Sequence, residues 1–233
     1  MPAIKNTEEQ GPSVGGVLLC AVIVALIGAL LGFLFLASVS PTSFKSVADL
    51  QAYLEKNPEP KLLDISYFEG GISRARSWEQ KRDALLNGSE TTVEFTAGEL
   101  NAWMSSNFRN SSPAVSGEDA PAIVILPGVP NFFIDEKEGL FFNLPTNLTI
   151  YGSAHHCMIV VKGHFNPAQP EFTMDALHAN GAAIPILSGL GDQFVGALLQ
   201  VYSQTDEFVA FQAAWEKVET VEIVGDTIRL KLR

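Results

Sequence analysis

Between Val14 and Val39 the chain carries no charged side chain, and this apolar run constrains the fold more than any other feature. As a helix rising about 1.5 Å per residue it would reach roughly 39 Å, more than the roughly 30 Å of bilayer hydrocarbon. It therefore predicts three parts: a short polar tail over residues 1–13, a membrane-spanning helix over 14–39, and a folded body over 40–233. The competing reading is a cleaved signal peptide, which has an apolar core of roughly 7–15 residues behind a basic start. Here the core is longer, Lys5 is the sole basic side chain before it, and Leu36-Ala37-Ser38-Val39-Ser40 makes only a weak cleavage site. Cys20 follows Leu19 within the run, which argues against a lipoprotein signal. We read a retained single-pass anchor.

Flanking charge says little about orientation. Lys5 stands on one side of the run and Lys45 and Lys56 on the other, and long domains cross largely regardless of charge. N-terminal anchors usually leave a short tail in the cytoplasm, so the expectation is a plasma-membrane protein with its C-terminal body on the external face. Gly28 and Gly32 make a G-x-x-x-G pair inside the run. That spacing lets a second helix approach closely, although glycine is frequent in membrane helices in any case.

The formal charge is −11, and only Lys5, Glu8 and Glu9 contribute to it before residue 40. An acidic body argues against nucleic acid as a partner and gives no general attraction to anionic lipid. Arg74, Arg76, Lys81 and Arg82 are the local exception. Such a cluster can touch phospholipid headgroups, but Glu79 and Asp83 among them predict a solvated helix face with i,i+3 pairs. The cysteines, Cys20 in the span and Cys157 in the body, cannot easily meet, so the fold must rest on its core. Asn87-Gly88-Ser89, Asn110-Ser111-Ser112 and Asn147-Leu148-Thr149 match glycosylation sequons, which matter only in a eukaryotic secretory host.

Along the body the hydrophobic period changes from helical to extended and back. Ser46 and Asp49 mark a helix start, with Val47, Leu50 and Leu54 as its stripe and Asn57-Pro58-Glu59-Pro60 as its end. A second helix is predicted from Ser73 to Leu86, and a strand from Thr91 to Phe95. Thr96-Ala97-Gly98-Glu99 reads as a capping box opening a helix with Leu100, Trp103, Met104 and Phe108 on one face. After a polar loop over 110–117, strands are predicted at Ile123–Leu126, Asn131–Asp135, Leu140–Ile150 (bent at Pro145), around Cys157–Val161, and at Glu171–Ala179. Two helices follow, one striped by Leu187, Leu190, Phe194, Leu198 and Val201, the next by Phe208, Phe211, Trp215 and Val218 behind a Thr205 cap. The chain closes in a hairpin. With Gly225-Asp226 as its turn, Ile223 faces Ile228, Val221 faces Leu230 and Glu222 faces Arg229, so one register satisfies both faces. The fold class is α+β: a single membrane helix, then one domain with a curved antiparallel sheet packed against helices, each element apolar on one face.

Signatures of chemistry are sparse. No P-loop, G-x-G-x-x-G, G-x-S-x-G or C-x-x-C occurs. His155, His156, Cys157 and His164 cluster, but alternate strand residues point to opposite faces, and zinc needs three or four convergent ligands. Ser188, His178 and Asp192 lack the strained elbow and oxyanion donors of a triad. Asp135, Glu136 and Glu138, with Lys137 and Gly139, read as a turn rather than a carboxylate pair. The expectation is no catalytic group, no metal and no cofactor. The segment from Leu177 to Pro185 leads into a helix holding Gly189, Gly191 and Gly196. Close packing of that helix on the sheet is one reason for such glycines. A groove lined by Leu187, Leu190, Phe194 and Leu198, open to an apolar ligand, is the other.

The Glu99-Leu100-Asn101 helix start, the Gly-x-x-x-Pro entry from Gly181 to Pro185 and the closing strand pair follow an N-terminal anchor. In this order they resemble the YpmS-type single-pass envelope proteins over roughly residues 14–233. The resemblance implies an extracytoplasmic domain of poorly defined activity, akin to tubular lipid-binding folds, and carries no catalytic residues. The helix near Ser73 to Leu86 departs from that pattern. The function expected is thus a membrane-anchored, non-enzymatic envelope protein that binds membrane lipid or another apolar ligand, or acts as a scaffold. The alternative is a small subunit of a membrane complex, assembled with a partner or a second copy through Gly28, Gly32 and the acidic domain.

Overall fold

Helix α1 (Val14–Ser38) is apolar on every side, and the body buries none of its residues. A helix without a polar face belongs either in a core or in lipid. This one is long and apolar enough to cross a membrane. The computed structural model describes residues 14–39, 42–44, 47–57, 65–67, 77–108, 123–166, 169–186, 189–203 and 205–233. The tail over 1–13, the Ser46 cap, the Ser73 helix start and the loop over 110–117 lie outside the described residues.

Past α1 comes a small unit: β1 (Thr42–Phe44), α2 (Val47–Lys56) and β2 (Ile65–Tyr67), with β1 and β2 paired in parallel. Helix α2 ends before Pro58, as expected, but the parallel strand pair was not legible in the hydrophobic pattern. Phe44, Tyr53 and Leu54 share one apolar cluster with Phe133 of β5 (Asn131–Asp135), which places this unit beside the larger sheet.

The antiparallel structure falls into two sheets. The smaller has the order β10 (Val218–Val224), β11 (Thr227–Leu232), β3 (Thr92–Thr96). The hairpin pairs Val221 with Leu230, Glu222 with Arg229 and Ile223 with Ile228, the register expected. Helices α3 (Ser77–Asn87), α4 (Ala97–Asn107) and α6 (Asp206–Trp215) cover this sheet around Leu85, Phe95, Trp103, Val221 and Leu230. The Thr96–Glu99 capping box and the Thr205 cap are both formed. Each satisfies backbone N–H groups that the first helical turn leaves without partners.

The larger sheet runs β4 (Ile123–Pro127), β6 (Gly139–Ile150), β7 (Ser153–Phe165), β8 (Phe172–Ala179), β9 (Ala182–Ala183), with β5 beside β4 along the long β6. Helix α5 (Leu190–Leu199) and a 3-10 turn (Gln200–Tyr202) pack Leu198 and Tyr202 onto Leu144, Ile159, Val161 and Leu177. The stripe read to Val201 passes instead to Tyr202: Val201 is exposed and Tyr202 buried. Four consecutive residues of β7, Met158 to Val161, are buried, so this strand is covered on both faces rather than one. The opposite face packs Phe141, Met158 and Val160 with Phe133.

Pro145 lies within β6, between the stretches paired with β5 and with β4. Its carbonyl accepts from Gly128 N–H at 2.6 Å, so its own nitrogen faces the gap between β4 and β5. The missing donor falls where the neighbouring strand is interrupted, and no ladder bond is lost.

Candidate functional site

The last turn of a helix leaves carbonyls without intrahelical donors, and in or near lipid such groups need partners from the protein itself. At the end of α1 the β8–β9 turn supplies them. Gly181 N–H donates to Leu36 O at 3.1 Å and to Val39 O at 3.3 Å, and Asn180 Nδ2 donates to Ala37 O. The same Asn180 is tied into the large sheet. Its Oδ1 accepts from Met158 N–H, and its own N–H donates to Met158 O, both at 2.8 Å. Asn180 is 4% exposed and adopts φ +51°, a left-handed conformation that Asn tolerates better than most residues. A Cβ on Gly181 would stand 3.1 Å from Leu36 O, so glycine there permits the close approach. Helix α1 and the sheet are thus joined by directed hydrogen bonds as well as by the covalent chain.

Two hollows flank the body. One, of about 200 Å³, lies at the foot of α1 between Ser43, Pro145, Asn147, His156, Cys157 and Asn180. His156 Nδ1 is held by Asn147 Oδ1 at 2.6 Å, and burial pushes the Cys157 thiol up, which disfavours the thiolate a nucleophile requires. The other, of about 470 Å³, opens between the β5–β6 turn, β7, β8 and β10. Within it Lys162 pairs with Glu138, and His164 Nδ1 lies 2.9 Å from Asp175 Oδ2. Asp175 is the extra residue of a β-bulge opposite Lys162 and Gly163, and the bulge sets its carboxylate beside His164. Asp135 Oδ1 accepts from the N–H groups of Lys137 and Glu138 at 2.9 Å each, the expected turn rather than a carboxylate pair.

The basic cluster takes another role than either one expected. Arg74 and Arg76 lie outside the described residues. Lys81 reaches Glu99 at 2.7 Å, and Arg82 forks onto Glu207, which also accepts from Trp103 Nε1. These bonds run from α3 to α4 and α6 instead of along one helix. Burial raises the Glu207 carboxyl, but hydrogen bonds from Arg82 and Trp103 outweigh it and hold the group below its ordinary range. Glu99 is lowered in the same way by Lys81 and the Thr96 backbone against the opposing effect of burial. Asn101, on the next turn, accepts from Phe132 N–H at 2.6 Å and donates to Phe132 O at 2.9 Å. It completes the free edge of β5, the device by which α4 joins the two sheets.

Of the groove residues, Leu187 lies outside the described residues and Leu190 opens α5. Phe194 is half-buried and Leu198 buried, both against the Leu144–Leu177 cluster. Gly191 is where close packing requires glycine, since a Cβ would meet Ile186 at 3.0 Å and Met174 Sδ at 3.3 Å. Gly28 and Gly32 face open space. Ser188 also lies outside the described residues, His178 sits on β8 opposite Val160, and Asp192 is exposed. Among the described residues no three His, Cys, Asp or Glu side chains converge as metal ligands would. The joint residues Asn180 and Gly181 were visible in the sequence only as part of a Gly-rich lead-in. Comparison with protein-family models, curated proteins and solved structures yields no match.

Proposed function

We propose that the protein is a membrane-anchored, non-enzymatic binding or scaffold protein that holds its acidic body against the outer face of the plasma membrane. The observation that carries this reading is the joint at Asn180 and Gly181, which closes the exposed carbonyls of α1 onto the sheet. A passive tether needs no such contact; a body kept at a defined place on the bilayer does. The partner is membrane lipid or another apolar segment, taken up beside α5, where Phe194 is only half-buried. The YpmS-type resemblance favours the same external placement. Alkaline carbonate should leave the full chain in the membrane pellet, and protease added outside intact cells should digest the body. Release into the supernatant, or protection of the body, overturns the reading.

A second reading makes the protein a small subunit of a membrane complex. Gly28 and Gly32 favour it, because no contact among the described residues explains a glycine at either position. Replacing both by Leu should then abolish co-purification of partners; unchanged co-purification counts against helix pairing.

A further inference from the structure

The joint fixes the height of the body above the membrane, which has a consequence for its lower surface. Helix α1 is 25 residues long, about 37 Å, against roughly 30 Å of hydrocarbon and about 5–7 Å of headgroup layer on each side. Its apolar character persists to Val39, interrupted near the end only by Ser38. Leu36, Ala37 and Val39 therefore stand at the edge of the hydrocarbon, and so do Asn180 and Gly181, which bond to them. Strand β9 packs beside α1 at the same level.

What leads away from this point is unlike the rest of the body. From Ala179 to Gly191 no side chain is charged, in a chain whose formal net charge is −11. Within that stretch Ala183 and Pro185 are exposed, and Ile184 and Ile186 are half-buried. Next to them Leu36 and Val39 keep 45% and 47% of their surface exposed. An uncharged, partly apolar patch that begins at the exit of a membrane helix fits one neighbour, the interfacial layer of that bilayer, where apolar groups enter the headgroup–acyl boundary. Carboxylates placed there would be driven off by an anionic leaflet, and this segment has none.

We propose that Gly181 to Ile186 form a second membrane contact, a surface that rests in the headgroup layer of the bilayer crossed by α1. The proposal rests on the anchor reading. It makes the body monotopic at this face as well as tethered.

The test uses the full chain with Cys20→Ala and Cys157→Ser, reconstituted in phosphatidylcholine vesicles. Single cysteines carry an environment-sensitive fluorophore at Ala183→Cys or Pro185→Cys. Leu30→Cys serves as a site in the span and Asp226→Cys as a site on the distal hairpin turn. Lipids with a nitroxide near the headgroup should quench the labels at 183 and 185 and spare the one at 226, while acyl-chain nitroxides quench the label at 30. If 183 and 185 behave like 226 while 30 is quenched, the second contact is wrong and the anchor stands. A blue-shifted but unquenched label at 183 places protein on the patch and also overturns the proposal. If 30 is unquenched as well, the anchor reading fails with it.

Discussion

Asn101 and Asn180 are 1% and 4% exposed, and each lends a side-chain amide to the backbone of another element. Their surroundings differ. Asn101 closes the edge of β5 beside a cluster in which Trp103 lies 5.6 Å from Phe95 and 5.9 Å from Phe211, with Lys81–Glu99 and Arg82–Glu207 spanning the same helices. Asn180 closes the end of α1, a helix with no buried residue, so that joint depends chiefly on hydrogen bonds. The seam inside the body is redundant and the seam to α1 is not. The first should therefore govern stability, and the second how α1 lies against the body.

The largest effect should come from the redundant seam's centre. Trp103→Ala removes a buried indole, its ring contacts and its bond to Glu207, at a cost of about 3–5 kcal/mol. For a body of this size that lowers Tm by roughly 10 °C, measured by thermal unfolding of the full chain in detergent. A shift of under about 2 °C would show that this cluster does not hold the helices to the small sheet. Asn101→Ala should cost less, about 2–3 kcal/mol, because it leaves the Phe132 N–H and carbonyl buried without partners.

Asn180→Gly tests the other seam. Glycine keeps the positive φ with ease, so the change removes the side-chain bonds to Ala37 and Met158 and little else. The expected stability loss is about 1–2 kcal/mol. The distance distribution between spin labels at Leu34→Cys and Asp226→Cys should broaden. Asn101→Ala should leave that distribution narrow while lowering Tm further. If the two variants change both observables in the same proportion, the seams are not separable.

Features closed within a few residues were legible before any coordinates. The Thr96–Glu99 box, the Thr205 cap and the Gly225-Asp226 hairpin are local, and each formed as expected. What escaped is what long-range pairing decides. Strands β1 and β2 have three residues each, too short for any period to register. The Met158–Val161 run was an available sign of a strand buried on both faces, yet one reading of alternation obscured it. Asn180 and Ala37 are 143 positions apart, and nothing in either segment announces the other. The same holds for Arg82 and Glu207, 125 apart. Phe194 and Leu198 share helix α5, but a stripe cannot say whether its facing surface is open or filled, and Leu198 faces a packed one.

Acid should act on the internal seam before the joint at Asn180 and Gly181, whose bonds to α1 run from amide N–H groups to backbone carbonyls. The Glu207 carboxyl sits below its ordinary value because bonds from Arg82 and Trp103 outweigh the cost of burial. A depressed carboxyl stabilises the fold above its unfolded-state pKa, and that contribution fades as pH falls through the lower folded value. Tm should therefore drop as pH falls below the ordinary glutamate range. In Glu207→Gln, which still accepts from Trp103, the drop should be shallower. An equal slope in both proteins would mean that Glu207 is not the group being protonated.

The smallest effect expected concerns the exposed face of the hairpin. Glu222 stands opposite Arg229, as the register requires, but their closest approach is 3.9 Å, whereas Arg229 Nε meets Glu94 of β3 at 2.6 Å. The hairpin identified a neighbour correctly; the third strand, brought in from far along the chain, supplied the better acceptor. Both acids are solvated, and exposed pairs contribute little because each charge is well hydrated alone and pays side-chain entropy to hold one geometry. Glu222→Ala should leave Tm unchanged within about 1 °C, and Glu94→Ala should lower it only slightly more. A larger loss from Glu222→Ala than from Glu94→Ala would reverse the assignment of Arg229. It would also show that strand pairing within the hairpin, rather than the α4-linked β3 seam, governs the small sheet.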